Sequence, residues 1–264
     1  MSQDEKLRLG GMALRNGLLV HGPTKWAAAV RARDGSLKVA SGTKPKIRVM
    51  EDVPGIRGVL RLAEAMAVIP LVRRALPDAR LAIENPAVLG VAAGASITAS
   101  VLRRRAGSAG DAAAAAVSLA PALFALRGGE LAAYHGVEHK AIAAYESDDA
   151  DAADAAKEHD RCGSHLVTPM LASNLAGTLL LRRALEKPGP IAGGILGLAS
   201  TGIAVEVFSW SERHSETGLA RALRRPGYEI QRVLGTREPD ERQLEVGRAA
   251  LAEVLRAEGE SPGA

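Results

Sequence analysis

Four stretches without a single charged residue, 86–102, 112–126, 166–181 and 188–205, constrain most strongly what this chain can fold into. They are 17, 15, 16 and 18 residues long. A helix that crosses a bilayer needs about 20 apolar residues, with about 17 as the lower limit. Each stretch is therefore a minimal membrane span or a buried helix of a water-soluble all-α domain. Their arrangement favours the membrane, because they come as two pairs with short connectors, Arg103-Arg104-Arg105 in one and Arg182-Arg183 with Lys187 in the other. Two helical hairpins are expected, with both termini and the central stretch 127–165 on one side. Aromatic residues are only 3% of the chain against 47% apolar overall. The apolar surface is thus Ala, Leu, Val, Ile and Gly, which lets helices approach closely in water or in lipid.

Charge does not orient the hairpins, since Arg73, Arg74 and Arg80 precede them and Arg213, Arg221, Arg224 and Arg225 follow. The opening residues are charged and lack the apolar core of a signal peptide. Together with a lone, reduced Cys162, this leads to the expectation of a multi-pass cell-membrane protein with its termini and central stretch in the cytoplasm. The net charge of +4 is spread through the chain, with no basic stripe interleaved with aromatics, so no nucleic-acid partner is expected. The expected partners are the lipid bilayer and a membrane protein.

Outside the apolar stretches the pattern changes. Runs at 13–20, 26–33 and 36–40, with turns at His21-Gly22-Pro23 and Asp34-Gly35, predict a small antiparallel β meander. Residues 51–74 predict an amphipathic helix entered at Pro54-Gly55, with Val59, Leu62, Met66 and Ile69 on one face, packed on the meander or lying along a membrane. Near the C-terminus, Leu244, Val246, Ala250, Leu251, Val254 and Leu255 form a helical stripe capped by Asp240, and the last residues, 258–264, are expected to fray. The expected fold is mainly α: four short membrane-type helices in two hairpins, an N-terminal antiparallel meander and a C-terminal helix. The expected divisions are 1–50, 51–85, 86–223 and 224–264.

The chemistry concentrates in two places. Tyr134-His135-Gly136-Val137-Glu138-His139-Lys140 contains H-x-x-E-H. On a helix, residues four apart lie about 40° from eclipsed, so His135 and His139 can reach one cation, and Glu138 is close enough to orient or deprotonate a water there. The alternative is ordinary polarity on an exposed helix. About twenty residues on, His159 and Cys162 have H-x-x-C spacing, as in a zinc turn. Cys162 could equally be a small core residue and His159 a loop histidine. Between them lie Asp148, Asp149, Asp151, Asp154 and Glu158, most simply a solvated acidic segment. Glu206 directly follows the last uncharged stretch, where an acid is costly unless paired, hydrated or metal-bound, and ordinary if the helix ends at the interface.

Taken together, the sequence resembles the YqhQ-type family of bacterial membrane proteins of unknown function, often described as predicted metal-dependent enzymes. The resemblance is carried by Gly10-Gly11-Met12-Ala13 with Gly17 and Gly22-Pro23, by residues 134–140, by residues 159–164, by Val205-Glu206-Val207, and by Pro226-Gly227, Gln231 and 236–239. It implies an integral membrane protein with two spans on either side of the His/Cys region. The chain departs from the family pattern at Met12, Asn16 and His21, where Gln, Glu and Arg are usual. The function expected is a metal-dependent membrane enzyme, hydrolytic in type and using a divalent metal, zinc foremost. His135 and His139 are the expected ligands, His159, Cys162 or Glu206 completes the set, and Glu138 is the general base. If His135, His139, His159 and Cys162 all bind, the site is closed and structural, and the alternative is a non-enzymatic assembly or quality-control factor. No substrate is indicated.

Overall fold

Residues 18–20 and 26–30 are apolar without alternation, which suits a strand only if both faces of its sheet are covered. The computed structural model, which describes residues 6–47, 53, 55–105, 107–127, 129–147, 152–185 and 189–259, has that arrangement. Strands β1 (Gly10–Leu14), β2 (Gly17–His21), β3 (Lys25–Arg31) and β4 (Leu37–Thr43) form an antiparallel meander in the order β1-β2-β3-β4. On one face Leu18, Val20, Ala27 and Ala29 pack on Tyr134 and Val137 of helix α5 (Glu130–Ser147) and on Val246, Ala250 and Val254 of α9 (Glu241–Glu258). On the other, Leu19, Trp26, Ala28 and Val30 pack on Val68 and Val72 of α1 (Ile56–Ala75) and on Leu76. The single run expected at 13–20 is thus two strands. Arg15 and Asn16 make the turn between them, and the Asn16 side chain bonds the Arg31 carbonyl at 2.8 Å and the Arg80 amide at 2.9 Å.

The stripe expected on α1 is also displaced. Val68, Val72 and Leu76 face the sheet, whereas Leu62 and Met66 are exposed. Apolar residues surround much of this helix, so hydropathy does not select a face and packing does. At the C-terminal helix the expectation holds: Asp240 and Gln243 form a reciprocal capping box, and Leu244, Val246, Ala250, Val254 and Leu255 are buried.

The remaining helices are α2 (Pro86–Arg105), α3 (Gly107–Val117), α4 (Ala120–Arg127), α6 (Val167–Ala184), α7 (Pro190–Arg213) and α8 (Gly218–Ile230). Helix α2 packs on α3 and α4, and α6 on α7 and α3. At one end Arg182 of α6 joins α2 and α3, donating to the Arg103 carbonyl at 3.0 Å and to the Asp111 carboxylate at 2.8 Å. Among the described residues three runs are long and apolar enough to cross a membrane, Pro86–Arg104, Ala109–Arg127 and Ile191–Arg213, not the four expected. The fourth stretch does form α6, but Thr168, Ser173, Asn174, Thr178 and the Arg182-Arg183 pair dilute its apolar character. The second run is broken between α3 and α4 at residues 118–119, just before Pro121. At most 22% of any of these runs is buried, and Ile97 and Ile191 are 67% and 79% exposed. The helix entrance at Glu51 and Pro54, the acidic residues Asp148, Asp149 and Asp151, Lys187 of the second connector, Pro188 at the start of the fourth stretch and residues 260–264 at the expected fray lie outside the described residues.

Candidate metal centre

Helix α5 is buried almost all round, which makes each position of the 134–140 motif a packing decision as well as a chemical one. Tyr134 and Val137 enter the sheet core. Gly136 is small because the Arg237 backbone crosses it, and the Arg237 amide bonds the Ala132 carbonyl at 3.0 Å. Lys140, only 4% exposed, satisfies its ammonium on the Ala153 and Ala155 carbonyls at 3.0 and 2.7 Å and on Glu238 at 3.1 Å. The lysine therefore pins the following loop against the helix.

That loop brings Cys162 to the two histidines. One ligating atom each from His135, His139 and Cys162 lie within 4.8 Å of one another. Cys162 Sγ is 3.4 Å from His135 Nε2, and the two imidazole rings are 4.4 Å apart. Both rings are held by the nitrogen that faces away from the cluster: His135 Nδ1 is 2.8 Å from the Gly235 carbonyl and His139 Nδ1 is 2.6 Å from the Lys157 carbonyl. A carbonyl only accepts, so each Nδ1 carries a hydrogen, and in the neutral ring this leaves the lone pair on Nε2. Metal-ligating histidines are commonly oriented and tautomer-selected this way. Burial pushes His139 far below the ordinary imidazole range, with His135 adding to the effect, so His139 is neutral, as a ligand must be. Burial raises the Cys162 thiol, while the Ser164 hydroxyl and amide oppose it. These residues could hold a metal ion: two imidazole lone pairs and a sulfur converge with their supports in place.

Glu138 lies beside this group and is 8% exposed. Burial pushes its carboxyl up to about 7, with His135 pulling it down and Cys162 adding to the rise. Against it stands Gly11 of β1, where a Cβ would sit 2.8 Å from Glu138 Cγ, Cδ and Oε1. The Gly10-Gly11 pair therefore belongs to the site's wall. His135, Glu138, His139 and Cys162 open onto a cavity of about 640 Å³ that β1 also lines.

His159 borders the cavity with its ring 5.7 Å from that of His139, but it is not one of the three converging residues: its Nε2 is 3.3 Å from Glu146, and its Nδ1 accepts the Arg161 amide at 3.2 Å. Glu206 is elsewhere, on α7, where its Oε1 accepts the Gly55 amide at 3.0 Å at the start of α1. The positive end of that helix is a natural place for a carboxylate.

Gln231 belongs to the residues that carry the family resemblance, but no chemical role was expected of it. It is fully buried, in the turn (Gln231–Gly235) that follows α8. Its Oε1 accepts the His159 amide at 2.8 Å, and its Nε2 faces Ser164 Oγ, the His159 carbonyl and His165 Nε2 at 2.9, 3.2 and 3.2 Å. Gln231 thus holds the Cys162 loop, and Gly235, four residues on, orients His135. A single glutamine between Ile230 and Arg232 gives no local sign of such a role.

Residues 130–257, from the start of α5 to near the end of α9, match the model of a family described as "Protein of unknown function (DUF1385)". The match contains the His/His/Cys group and both of its supports, and it agrees with the expected likeness to an uncharacterised family. No curated protein and no solved structure matches the chain.

Proposed function

We propose that the protein is a membrane-embedded, metal-dependent hydrolase in which His135, His139 and Cys162 hold a zinc ion and Glu138 is the general base. The observation that carries this reading is the convergence of one ring nitrogen from each of His135 and His139 and the Cys162 sulfur at a cavity that a buried carboxylate shares. Three protein ligands with an open position is the catalytic arrangement of zinc, whereas a fourth protein ligand closes a structural site. The engagement of His159 by Glu146 and by the Arg161 amide supports the open form. The three long apolar runs support membrane embedding, and the lone Cys162 supports a cytoplasmic site.

When bound, zinc would supply Lewis acidity and a water that ionises near pH ~7. Glu138 takes a proton from the attacking water and returns it to the departing group, so the cleaved bond gains one hydroxyl and one hydrogen. The close approach of Gly11 fixes the carboxylate for that exchange.

Elemental mass spectrometry on the detergent-purified full chain tests this. About one zinc per chain is expected, lost in His135→Ala, His139→Ala and Cys162→Ser and retained in Glu138→Gln, which should lose turnover on a panel of ester, amide and phosphoester substrates. A folded chain without metal would sink the reading. Metal with a silent Glu138→Gln would replace it with a structural centre on a platform for membrane-protein partners.

A further inference from the structure

The cavity is built of two unlike parts. Its polar end is the His/His/Cys group with Glu138, and its other wall is apolar: Ala122, Ala125 and Leu126 of α4, with Ile69 and Ile83. The position of that wall along the chain is informative. Ala122, Ala125 and Leu126 are in the last turns of the run Ala109–Arg127, and Ile83, 62% exposed, comes just before the run that begins at Pro86. Two apolar runs of bilayer-crossing length therefore begin and end beside the cavity. In a membrane, that is where hydrocarbon gives way to head groups.

The cavity also offers little to a soluble polyanion. Arg161, the guanidinium in its lining, is already paired with Glu146. Volume separates the membrane-borne candidates. About 640 Å³ lies within the ~300–1,000 Å³ typical of small-ligand sites. A spanning helix, ~30 Å long and ~10 Å across, needs roughly 2,000 Å³ or more.

Resting on the hydrolase reading above, we infer that the substrate is a lipid, whose acyl chain lies along α4 and Ile83 and whose head-group linkage reaches the His/His/Cys group. The chain portion supplies affinity through the apolar wall, and the site acts on the polar end. The lipid enters laterally from the membrane surface.

The test uses the full chain purified in a maltoside detergent and native mass spectrometry with a palmitoyl lysophospholipid. The same glycerophospho head group without its chain, and a single-span hydrophobic peptide, serve as competitors. Variants are Ala125→Trp, which fills the apolar wall, and Ala122→Trp, whose exposed backbone position tolerates bulk. Zinc content is measured on each sample. The expected result is saturable 1:1 lysophospholipid binding, weakened tenfold or more in either Trp variant with zinc unchanged, and no competition by the bare head group. Equal binding in wild type and both variants would overturn the lipid inference while leaving the hydrolase reading standing. Competition by the bare head group, or displacement by the peptide, would also overturn it. A folded wild type without zinc that still binds the lysophospholipid would overturn the hydrolase reading and, with it, the lipid's role as substrate.

Discussion

Replacing Gln231 by Leu tests whether this one side chain holds the Cys162 loop in place. Leucine is similar in size, so the change removes hydrogen bonds with little new cavity. In the native fold Gln231 Oε1 accepts the His159 amide at 2.8 Å, and losing a buried donor's partner costs about 1–3 kcal/mol. The amide group has two hydrogens and so makes at most two of its three contacts, to Ser164 Oγ, His165 Nε2 and the His159 carbonyl. At about 0.5–1.5 kcal/mol each, those two bonds add a similar amount. The His159 carbonyl keeps the Cys162 amide at 3.3 Å, so it is not orphaned. The expected destabilisation is about 4 kcal/mol, or roughly 8–16 °C in Tm for a chain of this size. The assay is thermal unfolding in detergent, paired with hydrogen exchange resolved to residues 159–166. Zinc affinity should fall with stability, because Cys162 is on the released loop. A Tm within about 2 °C of wild type, with exchange at the His159 amide unchanged, would refute the argument.

Three further outcomes follow from the same contacts. Gly11→Ala places a Cβ 2.8 Å from the Glu138 side chain and should cost about 1–3 kcal/mol in denaturant unfolding, and Glu138→Ala in the same chain should recover at least half of it; additive costs would show that the two do not touch. His21 is pushed down to about 4 by burial, with Lys44 reinforcing it, so below pH 6.5 the unfolded chain binds a proton that the fold excludes. Its stabilising share is complete above pH 6.5 and falls as pH drops to 4, by up to about 3 kcal/mol, so unfolding of His21→Gln should be less acid-sensitive than wild type over that window, and parallel pH profiles would contradict this. Asp111→Ala strands Arg182 at the α2–α3–α6 junction and should cost about 1–3 kcal/mol in thermal unfolding; no change would mean that the pair only decorates the surface.

Much of this was readable before any fold was known, for a physical reason in each case. The His135–His139 pairing depends only on helical periodicity, and the Asp240 cap and the stripe behind it depend on residues within a few turns of one another. The apolar runs and most of the meander follow likewise from local composition and turn residues. Where composition was mixed, as in α6 with Asn174 and its two arginines, the apolar signal was too weak to give a run of spanning length.

What tertiary structure alone decided is the identity of the partners. Cys162 joins the histidines whereas His159, three residues earlier, turns to Glu146, because loop closure by Lys140 and Gln231 sets which side chain points inward. Glu206 looks like a ligand in sequence and is a helix-end acceptor in space. Gly11 is more than a hundred residues from the glutamate it touches. α1 buries Val68 and Val72 instead of Leu62 and Met66 because the sheet, and not the helix's own hydropathy, selects its face. Local order is written in neighbours along the chain, whereas the site is made by buried contacts between distant segments, whose geometry no local pattern encodes.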